Sequence, residues 1–442
     1  MSTDLTASPQ AGAELQRYTE ALLSHLAASG AAPPAPPAFR DIPGHWLPAA
    51  VEALVTILAG EDPLEPLSRA AGRDQQNTAL FLCLSLAVAG QGDRIHASWL
   101  GTAFGELSLE RPVTHGQRAL WLAAARGAYG PAGKIFVLRK LDALAVPQQA
   151  EVPDWLQALA PGEPSVVVPT SLVDFPELAE IPELARPAQA AARLARLRAR
   201  CTEITSARQA ERESRAPLTN NAAAPATTWA EDEPLAVLRA LSGLGGHSGP
   251  LGSLTGHLLD DLRPGADPHL AAIALHVAAP ILRVVADELV AETRLTPPDS
   301  VTVPMLGHPL ILQPEGPDPD SMAEAERAIV ADGVPPRRRP WDAYLPIALG
   351  VVAVICALFA WPLAVAGVAL AGFGGWRLLR RRQAEQSDAT YVAARLSELK
   401  ELADGAVWAL HAYAREADRR AEAAAIDAAE LTRLLRRGPR AA

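Results

Sequence analysis

The sequence predicts a mainly α protein: irregular cytoplasmic helical domains, a membrane-embedded helical hairpin and a long C-terminal amphipathic or coiled-coil helix. Three observations predict it. Hydrophobic residues make up 49% of the 442 residues but aromatics only 5%. The apolar content therefore rests on Ala and Leu, which favour helices, more than on the β-branched and aromatic residues that favour strands. The 34 residues from Ala343 to Trp376 carry no charge and lie between two arginine clusters. Beyond them, Val392, Leu396, Leu399, Ala403, Ala406, Leu410, Tyr413 and Ala417 alternate by four and three, which is a heptad seam.

From the N-terminus, residues 1–38 hold an amphipathic helix over 12–29, with Leu15, Tyr18, Leu22, Leu23 and Leu26 on one side. A stiff proline-rich spacer follows at 31–37. Residues 39–213 read as a helical cytoplasmic domain, with helices at 45–60, 76–89, 97–107, 115–129, 133–145 and 187–213. Trp46, Trp99, Trp121 and Trp155 are expected to anchor its core. Their spacing is too uneven for a solenoid. Ser165 to Pro169 suits a short strand or connector. Pro187 sits where a helix can start. Leu194, Leu197, Cys201 and Ile204 make that helix's apolar stripe, and Arg193, Arg196, Arg198 and Arg200 surround it. Those arginines suit either a solvated face or a basic surface for lipid or a partner.

Residues 214–233 lack hydrophobic periodicity and read as a linker. Residues 234–313 are expected to form a small α+β or α domain. It would hold helices near 234–242 and 268–292 and two short extended pieces around Gly307-His308-Pro309. Residues 314–342 are linker-like, with a short helix at 320–331.

The apolar run 343–376 is read by length and charge. As one helix it would be about 51 Å long, against a hydrocarbon core of about 30 Å. A single pass would need more tilt than the usual limit of roughly 40°. Arg337, Arg338 and Arg339 precede the run, and Arg377, Arg380, Arg381 and Arg382 follow it. Positive residues favour the cytoplasmic side, and here both flanks are positive. A hairpin turning near Ala360-Trp361-Pro362 answers both problems, because a proline disfavours helical backbone in the residue before it. A single pass over Tyr344–Trp361 is the alternative. Gly367, Ala371 and Gly375 recur every four residues and are expected to pack the hairpin's arms.

Residues 377–442 carry the seam, of which Val392, Leu396, Leu399, Leu410 and Tyr413 are the large members. It would join copies of the chain, pack on the chain's own domains, or hold a partner. Several seam positions are alanine, so burial per turn is small.

The net charge is −10, with 13 basic and 10 acidic residues from Arg377 onward, which leaves −13 on the residues before. An acidic body argues against nucleic-acid binding. Arginines outnumber lysines 37 to 3, a composition that suits GC-rich bacterial coding. Three scattered cysteines exclude a disulfide framework or zinc knuckle. The opening residues lack the basic and apolar parts of a cleaved signal.

Chemistry, if present, would centre on the Gly-rich stretch 241–261, with His247, His257, Asp260 and Asp261. It lacks the lysine and preceding strand of a phosphate loop, and its histidine spacing does not specify a metal. No catalytic residue, cofactor, metal or small molecule is assigned. Three function classes compete. The leading one is a membrane-anchored scaffold or adaptor that tethers a cytoplasmic assembly to a bacterial inner membrane, with both termini cytoplasmic. Its partners would be the lipid bilayer and either a protein or a second copy through the C-terminal helix. A phage-tail-like contractile injection particle is one client such a tether would suit, and no motif specifies it. The others are a membrane-bound sensor taking a small ligand through 234–313, and a hydrolase or metal enzyme around His247, His257, Asp260 and Asp261.

Overall fold

The computed structural model describes residues 9–29, 42, 44–144, 152–162, 167–215, 229, 233–244, 251–334, 341–356 and 362–436. The chain is 78% helical, so the mainly α class holds. In order, the elements are α1 Pro9–Ser29, α2 Leu47–Ala59, α3 Leu64–Arg73, α4 Gln75–Val88, α5 Ala97–Phe104, α6 His115–Ala125, α7 Gly130–Leu144 and α8 Val152–Leu159. Next come α9 Pro176–Ala179, α10 Pro182–Arg215, α11 Pro234–Leu241, α12 Leu254–Leu262 and α13 Pro268–Thr293. Strands β1 Val301–Met305, β2 His308–Gln313 and β3 Gly316–Pro317 lead to α14 Pro319–Gly333, α15 Trp341–Cys356 and α16 Pro362–Arg436.

These elements form two compact units, one from residues 1–164, 193–290 and 424–442, the other from 165–192 and 291–423. This division corrects the expected boundaries. The segment 234–313 is not one domain, because 234–290 joins the first unit and 291–313 the second. The expected 39–213 domain likewise gives up 165–192.

In the first unit α4 is the central helix. Ten of its fourteen residues, from Thr78 to Val88 with Leu80 excepted, are buried, and it touches α2, α3, α5, α6 and α11. A helix apolar on all sides belongs in a core. Asp74 caps it by accepting from the Asn77 amide at 2.9 Å, which satisfies one of the amides left open at a helix start. Trp46, Trp121 and Trp155 are buried as expected, and Trp99 is half-buried. The α1 stripe holds too, with Leu15, Leu22, Leu23 and Leu26 buried. Helix α10 starts five residues before Pro187, which lies inside it. Its stripe of Leu194, Leu197, Cys201 and Ile204 is buried.

Two ion pairs bind distant segments of this unit. Arg118 of α6 grips Asp261 of α12 through both Nη atoms, at 2.8 and 2.5 Å. Arg126 reaches Asp267 at 2.8 Å and lies over the Trp229 ring at 5.5 Å. Burial pushes the Asp267 carboxyl upward, but hydrogen bonds and charge from Arg126, with the amides of His269 and Leu270, outweigh it and leave it below its ordinary 3.8.

In the second unit β1 and β2 form a hairpin with Val301 opposite Leu312 and Met305 opposite His308. The two residues between them, Leu306 and Gly307, have φ of +49° and +87°. Two consecutive positive φ values match the twist of a tight hairpin. His308 thus begins a strand, one residue later than the turn expected for it. Val301, Val303, Met305, Leu310 and Leu312 face a core closed by Leu172, Leu178 and Leu184, by Ala325 and Ile329 of α14, and by α16.

A depressed carboxyl stabilises the fold above its unfolded value and loses that contribution as pH falls through its folded value. Asp267→Asn should therefore lower stability at pH 7 and make the acid loss of stability below pH 3.8 shallower, as read by urea unfolding followed through tryptophan fluorescence.

Candidate functional site: an apolar helix pair and an arginine collar

The apolar run occupies α15 and the first turns of α16. Gly350 is where the two helices meet. A Cβ built on it would lie 2.7 Å from the Ala371 backbone nitrogen and 2.8 Å from the Gly367 carbonyl oxygen. Backbone atoms cannot yield as a flexible side chain does, so only glycine fits. Gly350 and Gly367 are buried. Gly367 and Ala371 thus lie where α16 comes closest to Gly350. Gly375 does not: a Cβ there meets nothing within 4 Å. Four residues make just over one helical turn, and the third small residue lies past the region of close approach.

Most of the larger described side chains point away from that contact. Tyr344, Leu345, Leu349, Val351, Val352, Ile355, Val365, Val368, Phe373 and Trp376 are all exposed. Such a continuous apolar surface is unusual on a protein that faces water alone. Arginines close its lower edge. The Arg377 guanidinium lies 5.2 Å from the Phe373 ring centre, and that of Arg380 lies 4.3 Å from Trp376. Arg381 pairs with Glu385 at 2.9 Å, and Arg382 is exposed. Arg337, Arg338 and Arg339, and the expected turn at Ala360 and Trp361, lie outside the described residues.

One helix among the described residues, Pro268–Thr293, is long and apolar enough to cross a bilayer by length and composition. Its apolar window is 72% buried within the protein, so packing consumes its surface. Helix α15 contrasts with it, being 16 residues long with its large described side chains outward.

The heptad seam is used within the chain. Leu399, Ala403, Ala406 and Tyr413 are buried in the second unit's core, with Leu396 and Leu410 packed against it. Val392 meets α14, where a Cβ on Gly333 would fall 2.4 Å from its Cγ2. The Tyr413 hydroxyl donates to the Leu184 carbonyl and accepts from Arg420, both at 2.9 Å. The seam expected to serve oligomerisation is therefore covered by the strands, α9 and α14. Its alanines have a physical use: they let α16 approach them closely, and even Gly405 sits where a Cβ would be 2.9 Å from Phe175. Helix α16 also runs unbroken from Pro362 to Arg436, across the expected boundary between the apolar run and the segment 377–442.

Of the residues proposed for chemistry, His257, Asp260 and Asp261 share α12 and His257 lies within electrostatic reach of both carboxylates, but each carboxylate is paired with an arginine. Asp261 is taken by Arg118; burial still holds its carboxyl above the ordinary range. Exposed Asp260 pairs with Arg263 at 2.9 Å. Burial first, and Arg118 second, hold His257 below its ordinary value. His247 lies outside the described residues. Among the described residues no three His, Cys, Asp or Glu side chains group to hold a metal. The Gly-rich stretch docks by backbone pairing, with the Val113 amide donating to Gly252 and the Leu251 amide to Val113, both at 3.0 Å. Of the four arginines on α10, Arg196 donates to the Gly162 carbonyl, Arg198 pairs with Asp427 at 3.2 Å and Arg200 with Glu203 at 2.8 Å. Comparison with protein-family models, curated proteins and solved structures finds no match for this chain.

Two predictions follow from this geometry. Gly350→Ala should cost about 1–3 kcal/mol through overpacking. Gly372→Ala, with open space at its Cβ, should gain up to about 1 kcal/mol from helix propensity. Thermal unfolding of the two variants in detergent compares them directly. Tyr413→Phe removes the hydroxyl's bonds to the Leu184 carbonyl and Arg420 and should lower stability by about 0.5–1.5 kcal/mol, visible as an earlier denaturant midpoint.

Proposed function

We propose that the chain is a membrane-anchored scaffold or adaptor whose helix pair α15 and α16 inserts in the bacterial inner membrane and leaves both flanks in the cytoplasm. The observation that carries this reading is the pairing of a glycine-tight helix contact with an outer surface of exposed Leu, Val, Ile and Phe side chains. In water such a surface is unfavourable by roughly 25 cal/mol per Å² left exposed. In hydrocarbon that penalty disappears, and helices satisfy their backbone groups internally.

The arginine collar supports the orientation. Arg377 and Arg380 stack on Phe373 and Trp376, which suits the headgroup level, where aromatic rings and cations both gather. The close approach at Gly350 favours a hairpin over a single pass, since it turns the chain back on itself. The described span of α15, 16 residues, is about 24 Å long, which suits a shallow or thinned insertion.

The scaffold reading draws on the soluble part as well. Of the groups a catalytic reading would need, Asp261 is committed to Arg118 and Asp260 to Arg263. The body then presents a stable helical surface to a cytoplasmic assembly. A phage-tail-like contractile particle is one such client, without a residue that specifies it.

Cysteines introduced at the exposed sites Asp320 and Ser397 test the topology, because native Cys83 and Cys201 are buried. Neither introduced thiol should react with an impermeant maleimide applied to intact cells, and both should react after lysis. Reaction of one alone from outside would establish a single pass.

A further inference from the structure

A cavity of 520 Å³ lies within the first unit, between α8, the middle of α10 and the end of α13. Its walls are Val152, Leu156, Leu197, Val285 and Leu289. Leu197, Val285 and Leu289 are buried, so the walls belong to the folded core. The volume falls within the range of small-molecule sites, about 300–1,000 Å³. Two cations, Arg193 and Arg196, also line it, and among the described residues no carboxylate does.

The cations are held differently. Arg196 donates to the main-chain carbonyls of Gly162 and Pro161. Those bonds fix the guanidinium in place without neutralising its charge. Arg193 is exposed at the rim. A cleft with an apolar floor and a cationic edge selects a molecule of the same polarity pattern: an apolar chain with an anionic head. Planar guanidinium groups match a carboxylate particularly well.

We propose that this cavity binds a single-chain amphiphile with a carboxylate head, that is, a fatty acid. The chain lies against Leu156, Leu197 and Leu289, and the carboxylate meets Arg193 and Arg196. The site is separate from the proposed membrane anchor, and either assignment can fail without the other.

The test uses the full chain in amphipol with a photoreactive diazirine analogue of myristate, followed by peptide mass spectrometry. Cross-links are expected in 152–160 and in 285–289, competed by myristate. Myristyl alcohol, with the same chain and no charge, should compete at least about tenfold more weakly, because charge-assisted bonds are the stronger class. Leu289→Trp, which fills the cavity, should remove these cross-links and leave labelling of 343–376 unchanged. Arg193→Glu, at an exposed position, should weaken labelling about tenfold and keeps the test decisive if Leu289→Trp does not fold. Cross-links confined to 343–376 would overturn the cavity site while leaving the anchor intact. Equal competition by the alcohol, or labelling indifferent to Arg193→Glu, would overturn the fatty-acid assignment.

Discussion

One contact governs how the apolar run can be used: the meeting of the α15 and α16 backbones at Gly350, with no side chain between them. Lipid tails are as apolar as leucine, so hydrophobic burial does not drive helices together inside a bilayer. Close van der Waals approach at small residues does. Gly350 opposite Gly367 and Ala371 supplies that approach, and the larger residues are left on the outside. The same surface explains why the run carries no charge over two helices. Any ionised side chain there would face hydrocarbon at a cost of several kcal/mol.

The rest of the second unit obeys the opposite logic. Its core is a solvent-type core, with the inward faces of two strands, α9, α14 and the seam of α16. Tyr413 closes it because its hydroxyl finds both a donor and an acceptor; a buried phenol lacking them would be costly. On the proposed reading, one helix serves two environments in sequence. Its early turns expose Val365, Val368 and Phe373, and its later turns bury Leu399, Ala406 and Tyr413. The change comes after the arginines at 377–382.

Much of the local structure was legible from residue pattern. Apolar stripes located α1 and α10, residue pattern placed helices over α2 and α4, and the glycine at 307 located the strand hairpin. Helix α3 was missed because it spans only ten residues and buries just Pro66 and Ala70. The extent of the small segment 234–313 was misjudged because its partners are remote. Arg118 and Asp261 lie 143 positions apart, and no local pattern announces such a pair. Gly350 was missed for another reason: in a run apolar on every side, period does not mark the contact face. Gly375 fitted the four-residue spacing and still points to open space. The heptad pattern correctly identified a buried stripe, but a stripe of that kind does not say whether the covering surface is another copy or the same chain.

Depth in the bilayer is the central quantity. Spin labels placed singly at Val352 and Val368, one on each helix, would be read in anionic lipid vesicles for collision with oxygen and with a water-soluble nickel chelate. Both sites should be reached by oxygen and shielded from the chelate, with shielding weaker for a label at Arg382. If Val352 and Val368 are as open to the chelate as Arg382, the helix pair does not lie in the membrane and the anchor is refuted.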